Sequence, residues 1–176
     1  MIDSGRFEVF VREYQDMVFA TAVRLLGNPA EAEDVAQTVF MKAFERFREL
    51  ESSVTVAGWL KTVTTNLCLN HLSRYRARWQ FFSELDTTGP QGTVSFASTL
   101  VAPFEAVVDF EVVDRQARLE TALRALPDHQ RVPLVLFHFD DLSYQDIAAK
   151  LGVSLSKVKT DIFRGRETLK KALGTA

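Results

Sequence analysis

The chain has 176 residues, with 21 Lys and Arg against 23 Asp and Glu, and 47% hydrophobic side chains that include 14 Phe. That length allows one large domain or two small ones, and no run reaches the ~18 consecutive apolar residues that a membrane span needs. A single cysteine, Cys68, excludes an internal disulfide, and the N-terminus MIDSGRFEVF lacks the basic-then-apolar pattern of a signal peptide. A soluble, cytoplasmic protein is expected.

The net charge of -2 hides an uneven distribution. Residues 1–82 carry 10 basic and 10 acidic side chains, residues 83–120 carry 2 and 7, and residues 121–176 carry 9 and 6. No Asp or Glu occurs from Ser52 to Ser83, a stretch that holds Lys61, Arg74, Arg76 and Arg78. Two basic regions flanking an acidic joint suit a chain whose two ends meet a polyanion.

Apolar residues recur at three- and four-residue spacing nearly everywhere outside the middle, so the expected fold is all-α. In GNPAEAEDV, Asn28 can cap a helix, Pro29 suits its first position, and Glu31 completes a capping-box pattern. The helix over 30–47 then turns Ala36, Val39, Phe40, Ala43 and Phe47 inward. Its other face shows Asp34, Gln37, Thr38, Met41, Lys42 and Glu45, and a Met in that polar setting suits adaptable protein contacts.

A loop, RELESSVTVAG, leads into the helix WLKTVTTNLCLNHLSRYRARW. Trp59, Leu60, Val63 and Leu67 form its core stripe, with Trp59 read as core rather than as a stacking platform. Asn66, Asn70 and His71 offer hydrogen bonds. Arg74, Tyr75, Arg76, Arg78 and Trp79 then interleave cations with aromatics, the mixture that holds phosphates and stacks bases in single strands.

Residues 83–103, SELDTTGPQGTVSFASTLVAP, are rich in Ser, Thr, Gly and Pro and too long for a loop inside a compact domain. They read as a flexible linker between two small helical domains, residues 1–82 and 104–176. In LSYQDIAAKLGVSLSKVKTDIFRGRETLKK, Ser143 and Asp146 repeat the S-x-x-D start, and Ile147, Ala148 and Leu151 line one face. Gly152 permits a left-handed turn and Ser154 can cap the next helix, in which Leu155, Val158, Ile162, Gly165 and Leu169 form the inner stripe. The outer face carries Ser156, Thr160, Phe163, Arg164 and Glu167, flanked by Lys157 and Lys159. This is a helix-turn-helix whose second helix suits the DNA major groove, although Asp161 would set a carboxylate against phosphates.

No nucleotide-binding glycine motif and no H-E-x-x-H are present, and His71, His129 and His138 are not spaced as metal ligands with Cys68. No catalytic residue, metal site or cofactor is expected, and Cys68 reads as a small buried or half-buried apolar residue.

These segments, in this order and spacing, resemble the extracytoplasmic-function (ECF) sigma factors of the sigma-70 family, the promoter-specificity subunits of bacterial RNA polymerase. EAEDVAQTVFMKAFERF resembles the family's region 2.2, GWLKTVTTNLCLNHLSRYRAR its region 2.4, and LRALPDHQRVPLVLFHFDDLSYQDIAAKLGVSLSKVKTDIFRGRETLKK its region 4. The resemblance implies that Asp34, Gln37 and Met41 bind the clamp helices of core RNA polymerase. It implies that the loop from Leu50 through Ala57, with Asn66, Asn70, Arg74, Arg76 and Arg78, engages the minus-10 element. It assigns minus-35 recognition to Ser156, Lys157, Lys159, Thr160, Phe163 and Arg164, and implies contact with the polymerase flap region and control by an anti-sigma factor. Leu50 replaces a frequent aromatic of the family, Lys157 a small hydroxyl residue and Asp161 a basic one. Gly165 stands for a common Ala, which should weaken its helix by ~1 kcal/mol. The alternative is an autonomous helix-turn-helix regulator, which would bind DNA as a dimer on paired half-sites.

Overall fold

The computed structural model describes residues 3–85 and 110–174, side chains included except for 74–85 and Phe110. Eight helices occupy the described residues: α1 (Ser4–Leu26), α2 (Pro29–Glu45), α3 (Phe47–Leu50), α4 (Val56–Leu85), α5 (Phe110–Ala125), α6 (Asp128–His138), α7 (Tyr144–Leu151) and α8 (Leu155–Leu173). The first four make an N-terminal bundle and the last four a C-terminal one.

The helix starts follow local chemistry. Asn28 Oδ1 accepts from the Ala30 and Glu31 amides at 2.9 and 3.4 Å, and Pro29 occupies the first position of α2. α1 begins with Asp3 accepting from the Gly5 amide at 3.0 Å, and ends at Gly27, whose φ of 68° turns the chain toward α2.

Val18, Ala22 and Leu25 of α1, Val39 and Ala43 of α2, and Leu60 and Cys68 of α4 are wholly buried together. Phe7, Phe10, Phe44 and Phe47 close one end, with Phe7 edge-on to Phe44 and Phe47 at 4.9 and 5.2 Å between ring centroids. Such pairs contribute about 0.5–1.5 kcal/mol beyond area burial. The periodicity places Phe47 correctly inside, but the helix expected over 30–47 breaks at Arg46, so Phe47 opens the short α3. Trp59 is half-buried against this core, with the Arg46 guanidinium over its ring at 5.9 Å.

In the second bundle, Leu123, Leu126, Val132, Val135, Leu136, Ile147, Val158 and Ile162 form the core. Leu155, expected in the inner stripe of α8, is instead 36% exposed. The first described helix of this half starts at Phe110; of the linker expected over 83–103, residues 83–85 instead continue α4, and the rest lies outside the described residues.

The two bundles touch through charged side chains. The Arg131 guanidinium is 3% exposed and donates to the Leu25 and Leu26 carbonyls at 3.3 and 3.0 Å, while also holding Leu126 O and the Asp128 carboxylate. Those are last-turn carbonyls of α1, the negative end of its dipole, where a cation is favoured. Arg24 pairs with Glu120 at 2.6 Å and covers the Phe139 ring at 4.4 Å. Lys61 meets Phe139 O and lies 3.5 Å from Asp140, which also accepts from Thr65 Oγ1 at 3.1 Å.

Candidate nucleic-acid interface

α7 and α8 form the expected helix-turn-helix. Ser143 Oγ accepts from the Asp146 amide at 3.1 Å, Gly152 ends α7 with φ 65°, and Ser154 Oγ accepts from the Lys157 amide at 3.1 Å. Each cap satisfies an amide that the first turn leaves unpaired. Val158, Ile162 and Gly165 are buried, and a Cβ on Gly165 would lie 3.3 Å from Leu134 Cδ1, which shows how closely α8 lies on α6.

That packing fixes what α8 shows to solvent. Ser156, Lys157, Lys159, Thr160, Phe163 and Arg164 are all exposed on it, Phe163 by 63%. Lys and Arg reach guanine acceptors, hydroxyls serve either strand, and an aromatic edge can meet a thymine methyl. Asp161 departs from expectation. It is 6% exposed, on the inner side of α8, and its carboxylate accepts from Lys157 Nζ at 2.7 Å. The i,i+4 spacing and closeness to α6 turn it away from the face that would meet phosphates.

The second patch lies on the first bundle. Asn66 and Asn70 are exposed one turn apart on α4, while Arg74, Arg76 and Arg78 follow on the same helix with side chains outside the described part. The loop before α4 is internally braced: Ser53 N donates to Leu50 O at 3.0 Å, and Ser53 Oγ accepts from the Thr55 amide at 3.2 Å. Leu50 is 6% exposed, so it anchors the loop from the core, and the apolar side chain at the tip is Val54, fully exposed. Sequence reading passed over Val54 because a lone Val among Ser and Thr carries no periodic signal.

The third patch is a groove of ≈ 940 Å³ between α1 and α2, in which Gln37 and Met41 are joined by Phe19, Phe40 and Phe44. Met41 is 68% exposed and Asp34 is exposed beside it on the same helix. Asp16, Glu33 and Glu45 add acid to the groove walls. They come from two helices and meet only in the fold. Among the described residues no cluster of His, Cys, Asp and Glu could hold a metal ion, and no helix is long and apolar enough to cross a membrane.

Burial pushes the Cys68 thiol up to about 12, with the Asp140 charge adding to the effect, so it stays protonated and inert near neutrality. Partial desolvation lowers the proton affinity of His129, and partial desolvation with the neighbouring Arg166 lowers that of His138.

Sigma-70 region 2 matches residues 10–78, and Sigma-70, region 4 matches residues 116–169. ECF RNA polymerase sigma factor SigW of Bacillus subtilis (strain 168) is 30% identical over 174 residues, covering 97% of this chain and 90% of that protein. The chain belongs to the ECF sigma factors of the sigma-70 family. ECF RNA polymerase sigma factor SigE of Mycolicibacterium smegmatis is 33% identical over 168 residues, covering 95% of this chain and 61% of that protein. The solved sigma factor RpoE of Bartonella quintana, in complex with the anti-sigma factor NepR, has a TM-score of 0.52 at 24% identity. It spans 96% of this chain and 97% of that one, a likeness of fold. In this sigma factor the groove, the loop and the Asn pair fall within the region 2 match, and the helix-turn-helix within the region 4 match.

Proposed function

We propose that this ECF sigma factor binds core RNA polymerase through the α1/α2 groove and directs it to promoters with both DNA-facing patches. Asp34, Gln37 and Met41 meet the clamp helices of the largest subunit, with the groove's Phe side chains supplying apolar contact. Ser156, Lys159, Thr160, Phe163 and Arg164 enter the major groove at minus-35. The loop after Leu50, with Asn66 and Asn70, captures a base unstacked from the minus-10 element, at a cost of a few kcal/mol that contacts in the open strand offset. Arg74, Arg76 and Arg78 hold the displaced phosphates.

The observation that carries this reading is α8 itself: two caps and a glycine turn lock its apolar side onto α6, leaving a cationic, hydroxyl-bearing face with an exposed ring. The chain performs no bond chemistry of its own; catalysis belongs to the polymerase, and the protein acts in the cytoplasm. The Bartonella quintana relative was solved with an anti-sigma factor, and a protein of that kind is the proposed inhibitor here.

Run-off transcription with purified core polymerase on randomised promoters tests the reading. Selected transcripts sharing a minus-35 and minus-10 pair are expected. DNA binding without stimulation of core would move the reading to an autonomous regulator. Within the same assay, Arg164→Ala should cost about 1–3 kcal/mol at one minus-35 position. Equal loss on every promoter would assign Arg164 to a phosphate instead.

A further inference from the structure

Lys157 and Asp161 form an ion pair on the helix proposed to read minus-35, and its setting is unusual. Lys157 is the third residue of α8, where the exposed amides make the helix end positive and an ammonium is disfavoured. Lysine before aspartate is also the weaker order for an i,i+4 pair. Yet Lys157 Nζ lies 2.7 Å from Asp161 Oδ2, with side-chain exposures of 49% and 8%. The buried partner explains the contact, because a carboxylate taken out of water requires a compensating charge.

The neighbours leave Lys157 in that role. His129 of α6 is close enough to feel both charges, and its partial desolvation disfavours the protonated imidazole, which makes it a poor partner for the carboxylate. Arg164 is exposed on the outer side of α8, and Asp128 is bound to Arg131. Among the described residues, neither Lys159 nor Arg164 has an ion pair, so both remain available to DNA.

Resting on the proposed minus-35 role of α8, we infer that Asp161 is a positioning residue that draws Lys157 back along the helix, withholding its charge from DNA and confining cationic contact to Lys159 and Arg164. Lys157 and Asp161 then act as one unit: a cation near the tip of the helix and a buried anion that restrains it. Specificity follows, since a mobile ammonium at the helix N-terminus would meet phosphates on any sequence.

The test is equilibrium binding of the holoenzyme to a fluorescent duplex bearing the selected minus-35 element, across a salt series. Each additional phosphate neutralised steepens the dependence of log K on log salt by about 0.9. Asp161→Asn should steepen it by that amount and flatten the preference for minus-35 bases. The double variant Asp161→Asn with Lys157→Met should return to the wild-type slope, and Asp161→Glu, which keeps the charge, should stay near it. A wild-type slope and preference in Asp161→Asn would overturn the inference. So would equal changes in Asp161→Asn and Asp161→Glu, which would indicate disturbed packing. If Lys159→Ala and Arg164→Ala also leave slope and preference untouched, the minus-35 reading itself fails, an outcome distinct from failure of the Asp161 role alone.

Discussion

His129 shows how one side chain links packing to pH. Its imidazole sits at the junction of α6 and α8, and burial lowers its proton affinity in the folded protein. Below the ordinary value of 6.5, the unfolded chain takes up a proton that the folded chain refuses, so stability falls as pH drops. His138 acts in the same direction. Chemical denaturation of wild type and His129→Gln at pH 7.5 and 5.5 should show a smaller acid loss in the variant. Met41 belongs to this scale too, because its 68% exposure makes it dispensable to the core. Met41→Asp should weaken core polymerase binding by about 1–2 kcal/mol, as loss of an interface anchor does. Its melting temperature should match the wild type, which separates docking from folding.

Among the elements, α8 is set by its caps and by one glycine. Ser154 holds the first turn through the Lys157 amide, and Ser154→Ala should cost about 1 kcal/mol, read by thermal denaturation. Gly165 carries a subtler lesson. Helix propensity alone gives Ala an advantage of ~1 kcal/mol over Gly there. The structure sets a Cβ at that position 3.3 Å from Leu134 Cδ1 and 3.4 Å from Gln130 O, so part of the gain is spent moving α6. Gly165→Ala should therefore stabilise by only a few tenths of a kcal/mol, below the ~1 that propensity predicts. A full gain would mean that the α6/α8 contact is softer than its geometry implies. The α2/α3 break is a local departure of the backbone at Arg46, with φ of -113°, and it leaves Phe47 and Leu50 buried on the side that Val39 and Ala43 already face.

On the scale of the molecule, the two bundles share one contiguous apolar core, and ionic and helix-end contacts fasten them at its edge. Arg131 occupies the C-terminal end of α1 so closely that a Cβ on Gly27 would sit 2.6 Å from its guanidinium carbon. Arg24 with Glu120 and Lys61 with Asp140 flank it. Charge reversal at both flanks, Arg24→Glu with Lys61→Glu, should part the bundles while leaving each intact. Small-angle scattering should then show a radius of gyration several ångströms above the ~16 Å of a compact chain this long. An unchanged radius would mean that Arg131 and the shared apolar core suffice to hold the closed form.

The sequence by itself determined the all-α class, the caps at Asn28, Ser143 and Ser154, the helix-turn-helix and the family. Those features depend on residues close in the chain: a capping hydroxyl, a glycine after the last turn, an apolar residue every third or fourth place. Only the tertiary structure decided which polar residues face inward. Asp161 looked like an anion on the outer face until α6 was packed against it, and Leu50, the first residue of the expected loop, is closed into the core. The acidic wall of the α1/α2 groove and the Arg131 contact join residues far apart in sequence, which periodicity cannot bring together. Local spacing fixes a helix and its faces; the neighbour that covers a face is chosen by long-range packing.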